Sequence, residues 1–217
     1  MTETSKSRVF HLKVWGENAC FTRPEMKVER VSYDVMTPSA ARGILEAILW
    51  KPAILWNITQ IDVLKPISWV SVRRNEVDTV MSPQMGCLFV DEGKHRQQRA
   101  GLILRDVAYV IHAFFEMTKK AGEADNIRKF EEMFIRRAEK GQCFHRPYLG
   151  CREFAANFEP VDMEIERLQS VSETRDLGFM LYDMNYAGAE PMPMWFRAQI
   201  INGCMRIPPL GSQEVHQ

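Results

Sequence analysis

Residues 8–15 (RVFHLKVW) alternate apolar and polar side chains, the period-two pattern of a half-buried strand. The period changes at TPSAARGILEAILWKP (37–52), where Ala41, Ile44, Leu45 and Ile48 recur at helical spacing. That pattern predicts a helix with one core face. Thr37 or Ser39 can cap its start, Pro38 suits its first turn, and Pro52 stops it. Residues 53–64 (AILWNITQIDVL) are rich in β-branched side chains and predict a buried strand, and residues 102–117 (LILRDVAYVIHAFFEM) a longer one. After a break at GEAD, residues 126–141 (NIRKFEEMFIRRAEKG) return to helical spacing through Ile127, Phe130, Phe134 and Ala138. Asn126 stands near the start of this helix and Gly141 past its end. Residues 141–158 read as a glycine-punctuated strand, and residues 177–186, 193–200 and 204–208 as three further short strands.

Residues 17–37 form a long polar connection. Residues 65–100 show no period and carry Arg73, Arg74, Lys94, His95, Arg96 and Arg99. A structureless segment of that length is rare in a compact domain unless functional, so an extended hairpin or flexible arm is expected. The order strand, helix, strand, arm, strand, helix, strand predicts an α+β, ferredoxin-like fold, an antiparallel sheet backed by two helices. The RNA-recognition motif shares that architecture. Residues 1–158 are assigned to this domain and residues 159–217 to a small C-terminal β-sheet domain.

The 217 residues are 46% hydrophobic and 26% charged, the profile of a folded soluble protein. Their formal net charge is zero, which argues against a polyanionic partner until it is divided along the chain. Residues 1–64 carry +1, residues 65–152 carry +5 and residues 153–217 carry −6. A basic middle and an acidic tail point to a polyanion site on one part and a separate surface on the other. No stretch approaches the about 18 consecutive apolar residues of a membrane span. The N-terminus lacks the apolar core of a signal peptide, and a cytoplasmic location is expected. The five cysteines form no Cys-x-x-Cys pair, so buried free thiols are expected rather than a zinc site or a disulfide framework.

In the second helix Lys129, Arg136 and Lys140 share a face away from the apolar stripe, flanked by Arg128 and Arg137. Such a face can neutralise successive phosphates, or it can be solvated and laced by pairs such as Glu132–Arg136. His145, in FHRPYLG, has Arg146 and Tyr148 within three residues. A histidine beside a cation and a phenol can move protons in RNA cleavage, where the substrate supplies its own 2′-hydroxyl nucleophile; the alternative is a packed strand histidine. His11 and His112 are expected to pack or face solvent. Of the five tryptophans, Trp50 at the helix end is the least certain core residue. No phosphate-binding glycine loop, Gly-x-Ser-x-Gly or His-Glu-x-x-His is present, so nucleotide hydrolase, serine hydrolase and metalloprotease readings lack support.

Residues 32–52, 96–117, 140–154 and 177–186 together resemble the type I-C CRISPR-associated repeat-processing family of the RAMP superfamily, in order along nearly the whole chain. The resemblance implies an endoribonuclease that cleaves pre-crRNA at the base of the repeat hairpin without metal or other cofactor. It implies retention on the crRNA 5′ handle within a surveillance complex. The partners would be the crRNA, the backbone and large subunits, and target DNA through the complex, with no membrane. In the family pattern an aromatic hydroxyl residue precedes Trp-Lys-Pro, and a lysine precedes His or Tyr at the second helix. Here those places hold Leu49 and Phe130, neither able to exchange a proton, while Lys129 matches. Lys129, His145 and Tyr148 are the expected catalytic residues. RNA contacts are expected from Arg23, Lys27, Tyr33, Arg42, Trp50, Lys51, Arg73, Arg74, Arg128, Arg136, Arg137 and Arg146. The alternative is a non-catalytic handle-binding subunit.

Overall fold

Alternation at the start of the chain produces β1 (Phe10–Ala19), whose Phe10, Leu12 and Val14 are buried while His11, Lys13 and Trp15 face the other side. The computed structural model describes residues 6–26, 28–84, 86–87, 95–163, 166, 168–186, 188 and 190–217. A 3₁₀ turn (Pro24–Met26) precedes α1 (Pro38–Ile48), β2 (Ile54–Val63), β3 (Trp69–Val77), β4 (Arg96–Met117) and α2 (Ile127–Glu139). The remainder comprises β5 (Asn157–Pro160), β6 (Arg175–Asn185), β7 (Met192–Ile201), β8 (Cys204–Arg206) and β9 (Val215–His216). The fold is α+β, a mostly antiparallel sheet with two helices. Spatial strand order is β5-β1-β4-β2-β8-β7-β6, with β3 paired to β4 and β9 to β7.

Both helices start where side-chain caps are available. Thr37 accepts a hydrogen bond from the Ala40 N–H with Pro38 behind it, and Asn126 accepts from the Lys129 N–H. The stripe on α2 lands on the sheet: Phe134 lies 5.0 Å from Phe10 and 4.8 Å from Trp56, ring centre to ring centre. Phe115 of β4 closes the cluster, 5.3 Å from Trp56. Aromatic edges packed on faces at these separations add to the free energy of burial.

The expected arm is the hairpin of β3 with the first half of β4, in register from Trp69↔Leu104 to Val77↔Arg96. β4 therefore begins at Arg96 rather than 102. At 22 residues it serves both this hairpin and the centre of the sheet, where β1 and β2 flank its second half. Asp106 adopts φ 49° between the two regions.

Residues 141–158 are not a strand. They form a turn-rich loop, with only the Tyr148↔Ala155 bridge and the start of β5 in ladder contact. Gly150 explains the irregularity: its φ is +83°, and a Cβ there would stand 2.0 Å from the Cys20 carbonyl oxygen. The three expected C-terminal strands are β6, β7 and β8. Asn202 and Gly203, both at positive φ, form the tight turn between β7 and β8. β8 pairs with β2, so the C-terminal strands extend the same hydrogen-bonded sheet. On the face of β1 away from the helices, His11 Nδ1 and His112 Nδ1 hydrogen-bond at 2.9 Å. His112 Nε2 meets Asp62 Oδ2 at 2.7 Å, and Gln60 donates to the other oxygen. These histidines form one polar chain across β1, β4 and β2. Among the described residues, no helix is long and apolar enough to cross a membrane.

Candidate nucleic-acid interface

Helix α1 ends with carbonyls that have no partner within the helix. Arg137 Nη1 donates to Ile48 O and the Phe144 N–H to Ala47 O, each at 2.8 Å. Trp56 Nε1 donates to Leu49 O at 3.0 Å. These bonds fix residues 47–50 against α2 and the loop behind it, and they place Arg137, a cation, at the negative end of the α1 dipole. Trp50 follows at the surface, 62% exposed. Lys51 completes a small cluster with Asp125 and Lys129. The Asp125 carboxyl is held below the usual range first by the Lys129 ammonium at 2.9 Å, then by the Gly122 N–H and the Lys51 charge. Arg136 and Lys140 are exposed on α2, while Arg128 is exposed and paired with Glu132 at 2.9 Å.

The loop after α2 carries the second group. His145, Arg146, Tyr148 and Arg152 line one cleft of about 350 Å³. The His145 and Tyr148 rings are 6.2 Å apart and nearly parallel, with 26° between their planes. Arg146 is steadied by Asn157 Oδ1 at 3.1 Å. Pro147 and Leu149 are buried, so the exposed side chains stand on an anchored backbone. Tyr148 also lines a neighbouring cleft with Thr22, Thr37, Ser39, Gly43 and Gly150.

Lys129 is not among the residues that line the cleft of His145 and Tyr148. The lysine sits in the first turn of α2, and the histidine lies four residues beyond the Gly141 that closes the last. From Lys129 to its end at Glu139 the helix rises about 15 Å. Several expected RNA contacts prove to be internal. Tyr33 is 2% exposed, with Arg23 stacked on its ring at 4.5 Å and its hydroxyl accepting from the Leu181 N–H; it is a core residue and offers RNA no surface. Arg23 is further held by Asp34 at 3.1 Å.

Arg42 clamps α1 to β6 through both oxygens of Asp183 at 2.9 Å and takes Glu46 at 2.7 Å. Burial disfavours its charge, but these carboxylates more than offset that and raise its pKa. Arg74 pairs with Glu153, whereas Arg73 is exposed. Lys27 and Lys94 lie outside the described residues, and His95 bonds Asp78 at 3.2 Å. Among the described residues no three His, Cys, Asp or Glu side chains cluster as a metal-ligand set. Phe144, 91% exposed beside His145, and Arg152 were missed from the sequence. The available signal was a phenylalanine off the helical stripe, next to the histidine.

Residues 9–208 match the family profile described as CRISPR-associated protein (Cas_Cas5). The chain belongs to the Cas5 family. Two Cas5 relatives, each named CRISPR pre-crRNA endoribonuclease Cas5d, align over almost their full length. That of Mannheimia succiniciproducens is 50% identical over 218 residues, 94% of this chain and 96% of its own. That of Thermus thermophilus is 41% identical over 225 residues, 95% of this chain and 94% of its own. A crystal structure of a CRISPR-associated protein shares the fold, with TM-score 0.75 and 24% identity over 99% of this chain and 100% of that one. Within this Cas5 chain Leu49 and Phe130 are 0% and 2% exposed. The positions that depart from the pattern therefore hold buried apolar side chains, with the Phe130 ring 6.4 Å from that of Phe115.

Proposed function

We propose that this chain is a pre-crRNA endoribonuclease of the type I-C system. It cuts at the 3′ base of the repeat hairpin without a metal and stays on the 5′ handle of the guide. The supporting relatives are named as pre-crRNA endoribonucleases and match nearly end to end. The observation that carries the chemistry is the His145–Tyr148 pair in an arginine-lined cleft. Cleavage needs a base for the 2′-OH proton, an acid for the departing 5′-oxygen and positive charge on the pentacovalent phosphate. His145 and Tyr148 exchange the protons, and Arg146 and Arg152 hold the phosphate. The O2′–P bond forms as the P–O5′ bond breaks, leaving a 2′,3′-cyclic phosphate and a 5′-hydroxyl. Lys129, Lys51 and Trp50 contact the RNA elsewhere along its path, and Phe144 stacks on an unpaired base.

The spatial order β5-β1-β4-β2 with its two helices supports reading residues 1–158, with β5 crossing the boundary, as a ferredoxin-like unit; residues 159–217 we read as a small β-sheet domain joined to it where β8 pairs with β2. The acidic C-terminal part faces the backbone and large subunits of a cytoplasmic surveillance complex, which brings target DNA to the guide. The second reading, a non-catalytic handle-binding subunit, is favoured by the apolar and buried Leu49 and Phe130. Labelled repeat RNA in EDTA separates the two. Under single-turnover conditions with saturating protein, His145→Ala slows cleavage about 10²–10⁴-fold. Lys129→Ala weakens binding, and its rate recovers at saturation. Wild-type cutting by His145→Ala rejects the site, and tight handle binding by the wild type with no product selects the second reading.

A further inference from the structure

Two cysteines that no part of the proposed chemistry uses meet beneath the His145 loop. The Cys20 N–H donates to Leu149 O at 3.0 Å, which brings the end of β1 against the loop. Cys151 Sγ donates to the Cys20 carbonyl oxygen at 3.5 Å, and the two thiols share Thr22, whose Oγ1 is 3.5 Å from Cys20 Sγ and 3.7 Å from Cys151 Sγ. Cys20 is buried and Cys151 only partly so, which gives the pair one accessible sulfur and one protected sulfur. We propose that Cys20 and Cys151 form a peroxide-sensitive dithiol that reversibly bonds the end of β1 to the loop carrying His145 and Tyr148. The proposal stands whether or not the chain cuts RNA.

The chemistry follows from the asymmetry. The neighbouring Cys20 thiol first, with help from Thr22 and Arg30, lowers the Cys151 thiol to about 6 against an opposing contribution from burial. The Cys151 thiolate attacks hydrogen peroxide and breaks the O–O bond, giving a sulfenic acid and hydroxide. Cys20 then attacks that sulfur. Its proton leaves with the sulfenic hydroxyl as water, and the hydroxide takes up the proton that Cys151 first released. Two thiols lose two hydrogens and two electrons, and the peroxide is reduced to two waters. Cys87 and Cys143 are exposed, and Cys204 is pushed up by burial and by the Asp62 carboxylate, so none of the three shares this arrangement.

The test treats the full chain with a few equivalents of hydrogen peroxide, alkylates the remaining thiols and maps peptides without reductant. The expected product is a dithiothreitol-reversible cross-link between the Cys20 and Cys151 peptides, with the other three cysteines alkylated. In Cys20→Ser, Cys151 is instead trapped as the sulfenic acid by dimedone. Five alkylatable thiols after peroxide, or a cross-link through Cys87 or Cys143, overturn the proposal. On the unmodified chain, the rate at which iodoacetamide alkylates Cys151 should rise with a midpoint near pH 6. A midpoint at the ordinary thiol value of about 8.5 overturns it even if Cys20→Ser fails to fold.

Discussion

Gly150 is the single residue on which the candidate cleft depends most directly. Its left-handed backbone and its contact with the Cys20 carbonyl leave no room for a β-carbon. In Gly150→Ala the loop must lift from β1. We expect a lower thermal midpoint, with about 1–3 kcal/mol lost to backbone strain alone. RNA cleavage should fall sharply at temperatures where the fold survives, because His145 and Tyr148 move with the loop. Circular dichroism melting together with a cleavage assay checks both, and an unchanged midpoint would show that the close approach does not exist. Other residues were harder to read from the sequence. Tyr33 and Arg42 carry the chemistry of RNA contacts, but what buries them is remote: Arg42 finds Asp183 141 residues away. No local pattern encodes such a pairing. Phe144 is the reverse case, an apolar side chain left in solvent by the turn that follows α2.

Among the elements, α1 and α2 were legible because their signals are local, a capping side chain and a three-to-four-residue apolar step. β3 was not. Its sequence WVSVRRNEV projects from the body of the sheet, so neither face had to be uniformly apolar and no hydrophobic alternation marks it. The same hairpin sorts its two arginines by the pleat. Arg73 faces solvent, while Arg74 joins a network in which Glu153 also takes Arg30 at 3.3 Å and Glu76 takes Arg99 at 3.5 Å. Arg73→Ala should weaken RNA binding, lower the slope of log affinity against log salt by about 1, and leave stability within about 0.5 kcal/mol. Arg74→Ala should cost about 1 kcal/mol of stability, since it removes a network member rather than an isolated surface pair. Binding isotherms at several salt concentrations and urea unfolding distinguish the two, and equal effects from both variants would contradict the alternation.

For the molecule as a whole, the zero net charge conceals a basic middle and an acidic tail joined in one sheet. Its response to pH runs through His11 and Asp62, which stand at the ends of one polar chain. Burial first, and the neighbouring His112 second, hold His11 below the usual histidine range, against weaker opposing effects of Asp62 and Asp162. The unfolded chain therefore takes up a proton that the folded chain refuses, and this stability is lost as pH falls below about 6.5. Burial alone would raise Asp62, but its hydrogen bonds to His112 and Gln60 prevail and lower it. Its contribution is present above about 3.9 and is lost as pH falls further, through the lowered folded value. The urea midpoint should decline in two stages on acidification. His11→Asn should flatten the upper stage and leave the acid one, and an unaltered upper stage in that variant would dismiss His11 as its source.

β4 carries a last consequence for how the chain tolerates changes in length. One inserted residue between Arg96 and Leu104 would exchange inward and outward side chains in the hairpin. Unless the irregular backbone at Asp106 absorbed it, the shift would pass into the rows that β1 and β2 read. Insertions and deletions belong beyond the Val77–Arg96 pair, where they alter the reach of the hairpin without touching the centre of the molecule. The arm can thus change in length while the sheet behind it keeps its alignment.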